Sequence, residues 1–386
     1  MADFSKKSTV SITCPLGLPP YLTDEVKEMG FQPTSTRDTG LEIEANLRDC
    51  MTLNYWLRTA HRVHYLIDEK PINGPEQLQE WLQELPWEDY IPEDGYFSVT
   101  SRIDHRTIEN DQYANVLCKD SVADRMRDKL GSRPDSGSDL DKTVLFLFWN
   151  KDIARIFIDT SGESLSRRNY RSENVSAPMQ ETLAAGIIAA TKWEPGQHFI
   201  NPMAGGATLA IEAALKATNR APASLRHNFG FMHINGFDKQ EYQHMRDKAK
   251  AASKSLNDVE GKIIATDIDP AATIAGSRNA KTAGVDQLIE FNTCPLEETD
   301  VPEGDGIIVV NPPYGLRLDP GEDLRPLYKR IGDFMKEKGA GKWGYVFTGN
   351  NALGKKVGLR TSSKTQFFNT TVECRLLEYE LYSGSK

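Results

Sequence analysis

The stretch GDGIIVVNPPYGLRL, residues 304–318, joins an apolar run directly to a loop that contains two successive prolines. The β-branched run 307–310 predicts a buried strand. The two prolines after Asn311 remove two backbone donors, so they end that strand and stiffen the loop. We therefore expect a rigid loop that presents the Asn311 amide and the Tyr314 phenol side by side at a strand end.

The sequence around this stretch alternates between strand and helix patterns from about residue 164 onward. Short apolar strands are predicted at HFINP (198–202), KIIATDID (262–269) and GIIVVNPP (306–313), with helical patterns between them. Strands that alternate with helices predict a parallel, doubly wound sheet of the α/β class.

The preceding part of the chain has short strands and short helices in quick succession, which predicts small α+β modules. Apolar residues at helical spacing predict one helix over residues 47–67. Arg58 and Arg62 would lie on that helix, and so would the pair His61 and His64.

Composition narrows the class of protein. The 386 residues are 39% hydrophobic and 26% charged, which is typical of a soluble globular chain of two or three domains. Neither an apolar run of about 20 residues nor a signal peptide is visible, so we expect a cytoplasmic protein. The five cysteines are far apart, and His61 with His64 fits a half-exposed helix face, so we expect no metal site and no disulfide framework.

Charge limits the surfaces that nucleic acid would bind. A net charge of −9 argues against general nucleic-acid binding but leaves local basic patches open. The candidates are Arg58 and Arg62, and then Arg168 and Arg171 in the segment SRRNYR, which also carries an aromatic residue. The alternative is that these arginines belong to ordinary solvated faces.

Two strand-to-helix junctions favour a nucleoside-containing cofactor. Gly205 and Gly206 would let the backbone after the first strand approach a ligand, although a tight turn alone would also explain them. At the second junction, Asp267 is placed to accept hydrogen bonds from ribose hydroxyls, and Asp269, before Pro270, to cap a helix. The Walker and G-x-G-x-x-G patterns are absent, which leaves a nucleoside without a pyrophosphate, such as S-adenosylmethionine.

The loop after residue 310 fits chemistry at an exocyclic amine of a nucleobase. Such an amine is a poor nucleophile because its lone pair is delocalised into the ring. The Asn311 side-chain carbonyl and the Pro312 backbone carbonyl would accept its two hydrogens and aim the lone pair. Tyr314 would stack on a base that has been flipped out, and such stacking contributes about 1–3 kcal/mol. The alternative is a proline-rich turn with no chemical role.

The N-P-P-Y sequence at 311–314 resembles the catalytic signature of amino-directed S-adenosylmethionine-dependent methyltransferases. Over nearly its whole length, the chain resembles the THUMP-domain guanine-N2 methyltransferases of 23S ribosomal RNA. The resemblance rests on segments such as LNYWLRTAHRV, RRNYRSENVSAPMQETLAAGII and DLRPLYKRIGDFMK. It implies a ferredoxin-like segment (1–54), a THUMP RNA-binding domain (55–163) and a Rossmann-like methyltransferase domain (164–386), with structured RNA as the partner.

The same resemblance implies the roles of individual residues. The catalytic residues would be Asn311, Pro312, Pro313 and Tyr314. The residues that bind S-adenosylmethionine would be Ala177, Pro178, Asn201, Pro202, Met203, Gly205, Gly206, Thr208, Asp267, Ile268, Cys294 and Asn311.

The chain departs from the family pattern Asp-Pro-x-Cys-Gly-Ser-Gly-Thr at its cofactor loop. Asn201 replaces the leading acid, Ala207 replaces the second glycine of that pattern, and Cys294 lies where a further acid is usual. The loss of a charged hydrogen bond costs roughly 1.5–3 kcal/mol, so we expect weaker cofactor binding. Two alternatives to the guanine-N2 enzyme follow: a non-catalytic RNA-binding relative, and an adenine-N6 methyltransferase.

Overall fold

The computed structural model describes residues 1–108, 110–172, 179–315 and 323–382. The strands are β1 (Ser8–Thr13), β2 (Pro33–Arg37), β3 (Gly40–Ala45), β4 (Arg62–Pro71), β5 (Tyr96–Asp104), β6 (Asp135–Gly137), β7 (Thr143–Asn150), β8 (Ile153–Asp159), β9 (His198–Pro202), β10 (Ile263–Asp267), β11 (Ile289–Thr293), β12 (Gly306–Val310), β13 (Trp343–Thr348), β14 (Ser363–Asn369) and β15 (Val372–Glu380). The α-helices are α1 (Pro19–Glu28), α2 (Leu47–Trp56), α3 (Pro75–Glu84), α4 (Trp87–Tyr90), α5 (Asp111–Leu130), α6 (Glu181–Ala189), α7 (Thr208–Ala217), α8 (Lys239–Ala251), α9 (Pro270–Ala283), α10 (Arg325–Lys338) and α11 (Asn351–Gly354).

The chain forms two compact units. The first unit consists of Met1–Cys14, Leu22–Arg167 and Arg226–Lys248. The second unit consists of Pro15–Tyr21, Arg168–Leu225 and Ala249–Lys386. Within the described ranges, no helix is long and apolar enough to cross a membrane.

The first unit is built on one mixed sheet with the strand order β2-β3-β1-β4-β8-β7-β5-β6. Its neighbouring strands pair antiparallel, except that β5 pairs parallel with both β6 and β7. The later segment Arg226–Lys248 joins this unit through Arg226, which is 3% exposed. The guanidinium of Arg226 donates hydrogen bonds to the backbone carbonyls of Ser161, Glu163, Ser164 and Arg167.

The predicted helix over residues 47–67 is right in its first half and wrong in its second half. Helix α2 ends at Trp56, and the chain then enters strand β4 at Arg62. Val63 and Tyr65 alternate with their neighbours and pair with β1, a period that the apolar spacing also fits. The prediction of a histidine pair on a half-exposed helix face is therefore also wrong, because His64 is buried in this strand.

The second unit is the predicted doubly wound α/β sheet, with the strand order β11-β10-β9-β12-β13-β15-β14. The five strands β9 to β13 run parallel to one another. Strand β15 then pairs antiparallel with both β13 and β14. All residues of β12 are buried, as the apolar run predicts, and α10 packs over it through Tyr328, Ile331 and Met335. The strand order reverses between β9 and β12, and the carboxyl ends of strands at such a point form a ligand crevice.

Candidate functional site

The loop between β9 and α7 has an unusual backbone. Met203, Gly205 and Ala207 have positive φ angles of 56°, 54° and 58°. The backbone N–H of Ala204 donates to the Thr266 carbonyl at 2.9 Å, which ties the loop to the end of β10. A Cβ at Gly205 would meet nothing within 4 Å, so this glycine faces open space where a ligand can approach.

Ala207 is the residue that replaces a glycine of the family pattern. It is fully buried and lies in the left-handed region, which costs a residue with a side chain roughly 1–2 kcal/mol. Its methyl group faces Gly276 of α9, where an added Cβ would lie 3.0 Å from the Ala207 Cβ. The chain therefore accommodates the extra methyl because the facing helix has no side chain at that position.

Asp267, at the end of β10, holds the first loop in place. Its carboxylate accepts hydrogen bonds from the backbone N–H of Gly205 at 2.8 Å and of Asp269 at 3.0 Å. The backbone N–H of Cys294 donates to the Asp267 carbonyl at 3.0 Å, which brings the end of β11 to the same edge. A carboxylate has about four acceptor positions, so Asp267 retains capacity for ligand hydroxyls.

The neighbours of Asp267 take the positions that the sequence predicts. Asp269 is the N-cap of α9, because its side chain accepts a hydrogen bond of 2.8 Å from the Ala271 N–H. Ile268 is 70% exposed, which leaves an apolar side chain on the rim of the crevice.

Asn201, at the end of β9, is buried and hydrogen-bonded to the adjacent strand. Its Nδ2 donates to the Val309 carbonyl of β12 at 2.9 Å. A carboxylate here would direct a second acceptor at that carbonyl, so the amide is the better match for this neighbour. Among the residues that the structure describes, none hydrogen-bonds to the buried Asn201 Oδ1.

The loop after β12 presents Asn311 and Tyr314, as the opening stretch predicts. Asn311 Oδ1 is a buried acceptor that makes no hydrogen bond to any described residue. The Tyr314 hydroxyl accepts a hydrogen bond of 2.8 Å from Asn369 Nδ2. The Tyr314 ring lies against Gly349, where an added Cβ would be 2.9 Å from two ring carbons. Asn369 and Gly349 therefore hold the Tyr314 side chain, and neither of them contacts Asn311 Oδ1 through a hydrogen bond.

The segment that precedes α6 is anchored by buried charge. Arg171 donates to the Met179 carbonyl at 2.9 Å and to Thr208 Oγ1 at 3.4 Å, and it lies 3.4 Å from the Glu181 carboxylate. Burial raises the pKa of Glu181, while Arg171 opposes that shift. Arg171 thus connects the segment before α6 to Thr208, the first residue of α7. Ala177 and Pro178, which follow, lie outside the described residues.

The structure argues against the predicted RNA contact of Arg168. This side chain is 1% exposed, and its Nε lies 3.6 Å from the equally buried Glu212 carboxylate. Glu212 also accepts a hydrogen bond of 3.1 Å from the Tyr170 hydroxyl. A guanidinium that is buried against a carboxylate offers nothing to an RNA phosphate, so we correct this prediction.

Arg58 and Arg62 do not share a helix face, which corrects the surface predicted for them. Arg62 forms an ion pair with the buried Asp159 and donates to the Gly162 carbonyl. Arg58 follows α2, where its backbone N–H donates to the Glu25 carboxylate at 3.1 Å. The role that the structure gives Arg62 is internal to the first unit.

Sequence reasoning did not find the residues that support Tyr314. Asn369 and Gly349 are far from it in sequence and carry no motif of their own. The contact of Gly276 with Ala207 could not be predicted either, because a glycine within a helical pattern has many explanations.

Family models match three successive parts of the chain. They are the RlmL ferredoxin-like domain at residues 9–64, the THUMP domain at 74–159, and the RMKL-like methyltransferase domain at 168–378. The chain belongs to the RMKL-like methyltransferase-domain family. The family resemblance that the sequence showed is thereby confirmed, and so is the fold class.

The curated relatives of this RMKL-like chain are also named as methyltransferases. It is 32% identical over 377 residues to the "Ribosomal RNA large subunit methyltransferase K/L" of Syntrophotalea carbinolica, which covers 96% of this chain and 53% of that protein. The chain spans about half the length of the curated relatives it matches.

Solved structures share the fold of this RMKL-like chain end to end. A "possible methylase" from Clostridium difficile 630 is 28% identical with a TM-score of 0.88, over 99% of this chain and 100% of that chain. SMU.472, solved in complex with SAH, is 24% identical with a TM-score of 0.88, over 99% of both chains. The latter likeness supports the fold.

Proposed function

We propose that the protein methylates the exocyclic N2 amine of a guanine in structured large-subunit ribosomal RNA, with S-adenosylmethionine as the methyl donor. The observation that carries this proposal is the buried Asn311 Oδ1, an acceptor that no described residue satisfies. A buried polar atom without a partner costs about 1–3 kcal/mol, and an amine hydrogen of the substrate would remove that cost.

The residues at the carboxyl edge fit S-adenosylmethionine. The open space at Gly205, the carboxylate of Asp267 and the exposed Ile268 offer, in turn, close backbone approach, acceptors for ribose hydroxyls and an apolar surface. Asn201 Oδ1 adds a buried acceptor in place of the usual acid. When bound, this cofactor supplies an electrophilic methyl group. The further contacts predicted for Pro202, Met203, Gly206, Thr208 and Cys294 are part of this proposal.

Asn311 and Pro312 act on the amine without acting as bases. Asn311 Oδ1 and the Pro312 carbonyl each accept a hydrogen bond from one amine hydrogen, which favours a pyramidal nitrogen and turns its lone pair away from the base ring. Once the new N–C bond has formed, the nitrogen loses one proton to solvent. The prolines fix both acceptors before the substrate arrives, so no reorganisation is needed during the reaction. The Tyr314 ring, held by Asn369, provides the face on which the flipped base stacks.

RNA is the substrate that the similarities favour. The relative from Syntrophotalea carbinolica is named as a ribosomal RNA large-subunit methyltransferase, and a THUMP-domain match covers residues 74–159. We divide the chain into a ferredoxin-like segment (1–54), a THUMP domain (55–163) and a methyltransferase domain (164–386), and assign RNA docking to the second.

Nucleoside mass spectrometry tests the proposal. Unmodified large-subunit ribosomal RNA, transcribed in vitro, is incubated with the protein and S-adenosylmethionine and then digested. We expect N2-methylguanosine in the digest, and on the order of 100-fold less or lower in the same time when the protein carries Asn311→Ala. N6-methyladenosine would favour the adenine enzyme instead. RNA binding without any methylated nucleoside would favour the non-catalytic relative.

A further inference from the structure

The stretch between Gly349 and Asn369 begins and ends on Tyr314. Gly349 lies against the Tyr314 ring, and Asn369 donates its side-chain N–H to the Tyr314 hydroxyl at 2.8 Å. We refer to residues 350–364, which lie within this stretch, as the basic segment. Both ends of the longer stretch therefore lie at the tyrosine that we assign to the target base, whereas Ser363 of the basic segment pairs with Glu378, which faces Tyr345 near the start of β13.

The basic segment carries a concentration of positive charge that is unusual for this chain. Residues 339–372 contain no aspartate or glutamate, although the whole protein has a net charge of −9. The segment itself contributes four cations, all of them exposed: Lys355, Lys356, Arg360 and Lys364.

These cations differ from those on the neighbouring helix α10. Arg330 lies 2.6 Å from Glu297, Arg325 lies 2.8 Å from Asp323, and Lys336 lies 3.7 Å from Asp333. By contrast, no ion pair within 4 Å joins the four cations of the basic segment to a carboxylate among the described residues. Lys356 contributes only weakly to the lowered pKa of Asp323, which Arg325 dominates.

The backbone beneath the cations is held by close packing. The Val357 carbonyl lies so near Gly332 of α10 that a Cβ on that glycine would be 1.7 Å away. Gly354 is likewise covered by Leu377, at 2.7 Å from an added Cβ, and Asn350 caps α11 by accepting from the Ala352 and Leu353 N–H groups. The side chains therefore extend into solvent from a fixed support, which lowers the entropy lost when a partner binds.

We propose that the basic segment binds the RNA phosphate backbone along a path that leads away from the target guanine, through Lys355, Lys356, Arg360 and Lys364. This proposal rests on the proposed function and adds a second RNA contact on the methyltransferase unit itself. Unpaired exposed cations on a rigid support complement the negative charge of phosphate. The rest of this chain has a net negative charge and would repel phosphate. The contact would carry position and affinity and no sequence information.

Salt-dependent binding of in vitro-transcribed large-subunit ribosomal RNA tests the proposal. The test variant carries K355Q, K356Q, R360Q and K364Q. A matched control carries K250Q, K254Q, K262Q and K281Q, which removes the same charge from exposed lysines of the second unit. Of these control lysines, Lys262 directly precedes β10 and Lys281 is in the last turn of α9, which packs on β10 and β11. Both therefore lie on the β11 side of the sheet, and β14 is the last strand on the other side.

We expect the slope of log K against log salt to fall by about 3 in the test variant, since each lost phosphate contact removes roughly 0.7–0.9. The control should keep the wild-type slope, and S-adenosylmethionine binding by calorimetry should be unchanged in both. Equal slopes in the test variant and the control would overturn the proposal. If the four changes together lower the unfolding temperature, the pairs K355Q/K356Q and R360Q/K364Q are measured separately, each with an expected loss of about 1.5 in slope.

Binding is measured without methyl transfer, so the two proposals fail in different ways. The surface is rejected if the test variant binds RNA as the control does while the wild-type protein still produces N2-methylguanosine. The catalytic proposal is rejected if the wild-type protein binds RNA but produces no methylated guanosine.

Discussion

The side-chain amide of Asn369 donates a hydrogen bond of 2.8 Å to the Tyr314 hydroxyl, across 55 positions of sequence. This bond joins strand β14 to the loop after β12, so the orientation of the tyrosine ring depends on the antiparallel end of the sheet. Cys374 Sγ lies 4.0 Å from the same hydroxyl. A phenol held in this way serves to position its ring.

We expect Tyr314→Phe and Asn369→Ala to lower the single-turnover methylation rate by about five-fold each, because each removes the same hydrogen bond of about 1 kcal/mol. Tyr314→Ala should lose more, since about 1–3 kcal/mol of base stacking disappears as well. The double variant Tyr314→Phe/Asn369→Ala serves as the control. It should be no slower than either single variant. A double variant with the product of the two losses would show that Asn369 acts on something other than Tyr314.

Asp267→Ala should weaken S-adenosylmethionine binding roughly 10- to 100-fold, as expected for the loss of charge-assisted hydrogen bonds of about 1.5–3 kcal/mol. The variant loses the acceptors for the ribose hydroxyls. It also loses the carboxylate that holds the Gly205 N–H in the loop between β9 and α7. Calorimetry measures the affinity. Asp269→Ala is the matched control: it should cost about 1 kcal/mol of stability through the lost N-cap and leave the affinity nearly unchanged. The reverse pattern would exchange the two roles.

Ala207 and Gly276 should behave as a coupled pair. Gly276→Ala brings two methyl carbons to 3.0 Å, and overpacking of this kind costs about 1–3 kcal/mol, against about 1 kcal/mol gained in helix propensity. Ala207→Gly alone should be nearly neutral, because relief of about 1–2 kcal/mol of backbone strain offsets a buried methyl of about 0.8 kcal/mol. In the Ala207→Gly background, Gly276→Ala should destabilise less, because the added Cβ then keeps only its contact of 3.2 Å with a Phe291 ring carbon. Urea unfolding of the four proteins gives the coupling, and additive effects would contradict it.

The parts of the fold that sequence predicts are those with a single consistent period. The strands β9, β10 and β12 and the N-cap Asp269 follow from local apolar runs and local capping chemistry. The second half of the helix predicted over residues 47–67 was wrong because its apolar spacing fits both a helix and a strand, and pairing of β4 with β1 decides between them.

The residues of the site likewise fall into those that a local motif predicts and those that only the tertiary fold reveals. Asn311 and Tyr314 are local to one motif and were found from it, whereas the partners that hold them depend on the tertiary fold. Arg168 was assigned to RNA because a basic hexapeptide looks exposed, and only the fold places Glu212 against it. Buried charge is invisible to sequence reasoning when its partner is distant in sequence.

The ion pair of Arg62 with Asp159 predicts a pH dependence of stability. Burial raises the pKa of Asp159, but Arg62 and then His64 attract the carboxylate and lower the pKa to about 2. This value lies below the unfolded value of about 3.9, so the group stabilises the fold above that unfolded pKa and loses its effect as the pH falls toward 2. The contribution at neutral pH is on the order of 2–3 kcal/mol.

Urea unfolding of the wild-type protein and of Asp159→Asn between pH 7 and pH 2 measures this contribution. The variant should be less stable at pH 7, and the difference should shrink between about pH 5 and pH 2. Asp333→Asn is a control in the second unit, where an exposed carboxylate pairs with Lys329 and should show little such dependence. A difference for Asp159→Asn that does not change with pH would mean that the carboxylate charge is not the source.

Asn311→Ala should lower kcat by about 10²–10³ and leave S-adenosylmethionine binding nearly intact. Its Oδ1 is a preorganised group that acts when the amine lone pair is aimed, and removal of one such group at an active site typically costs this much. Asn311→Asp keeps an oxygen at the acceptor position and should retain more activity than the alanine variant. Single-turnover rates with saturating cofactor separate the chemical step from binding. An alanine variant with the wild-type rate would reduce this loop to a structural turn and make RNA binding without catalysis the better account of the protein.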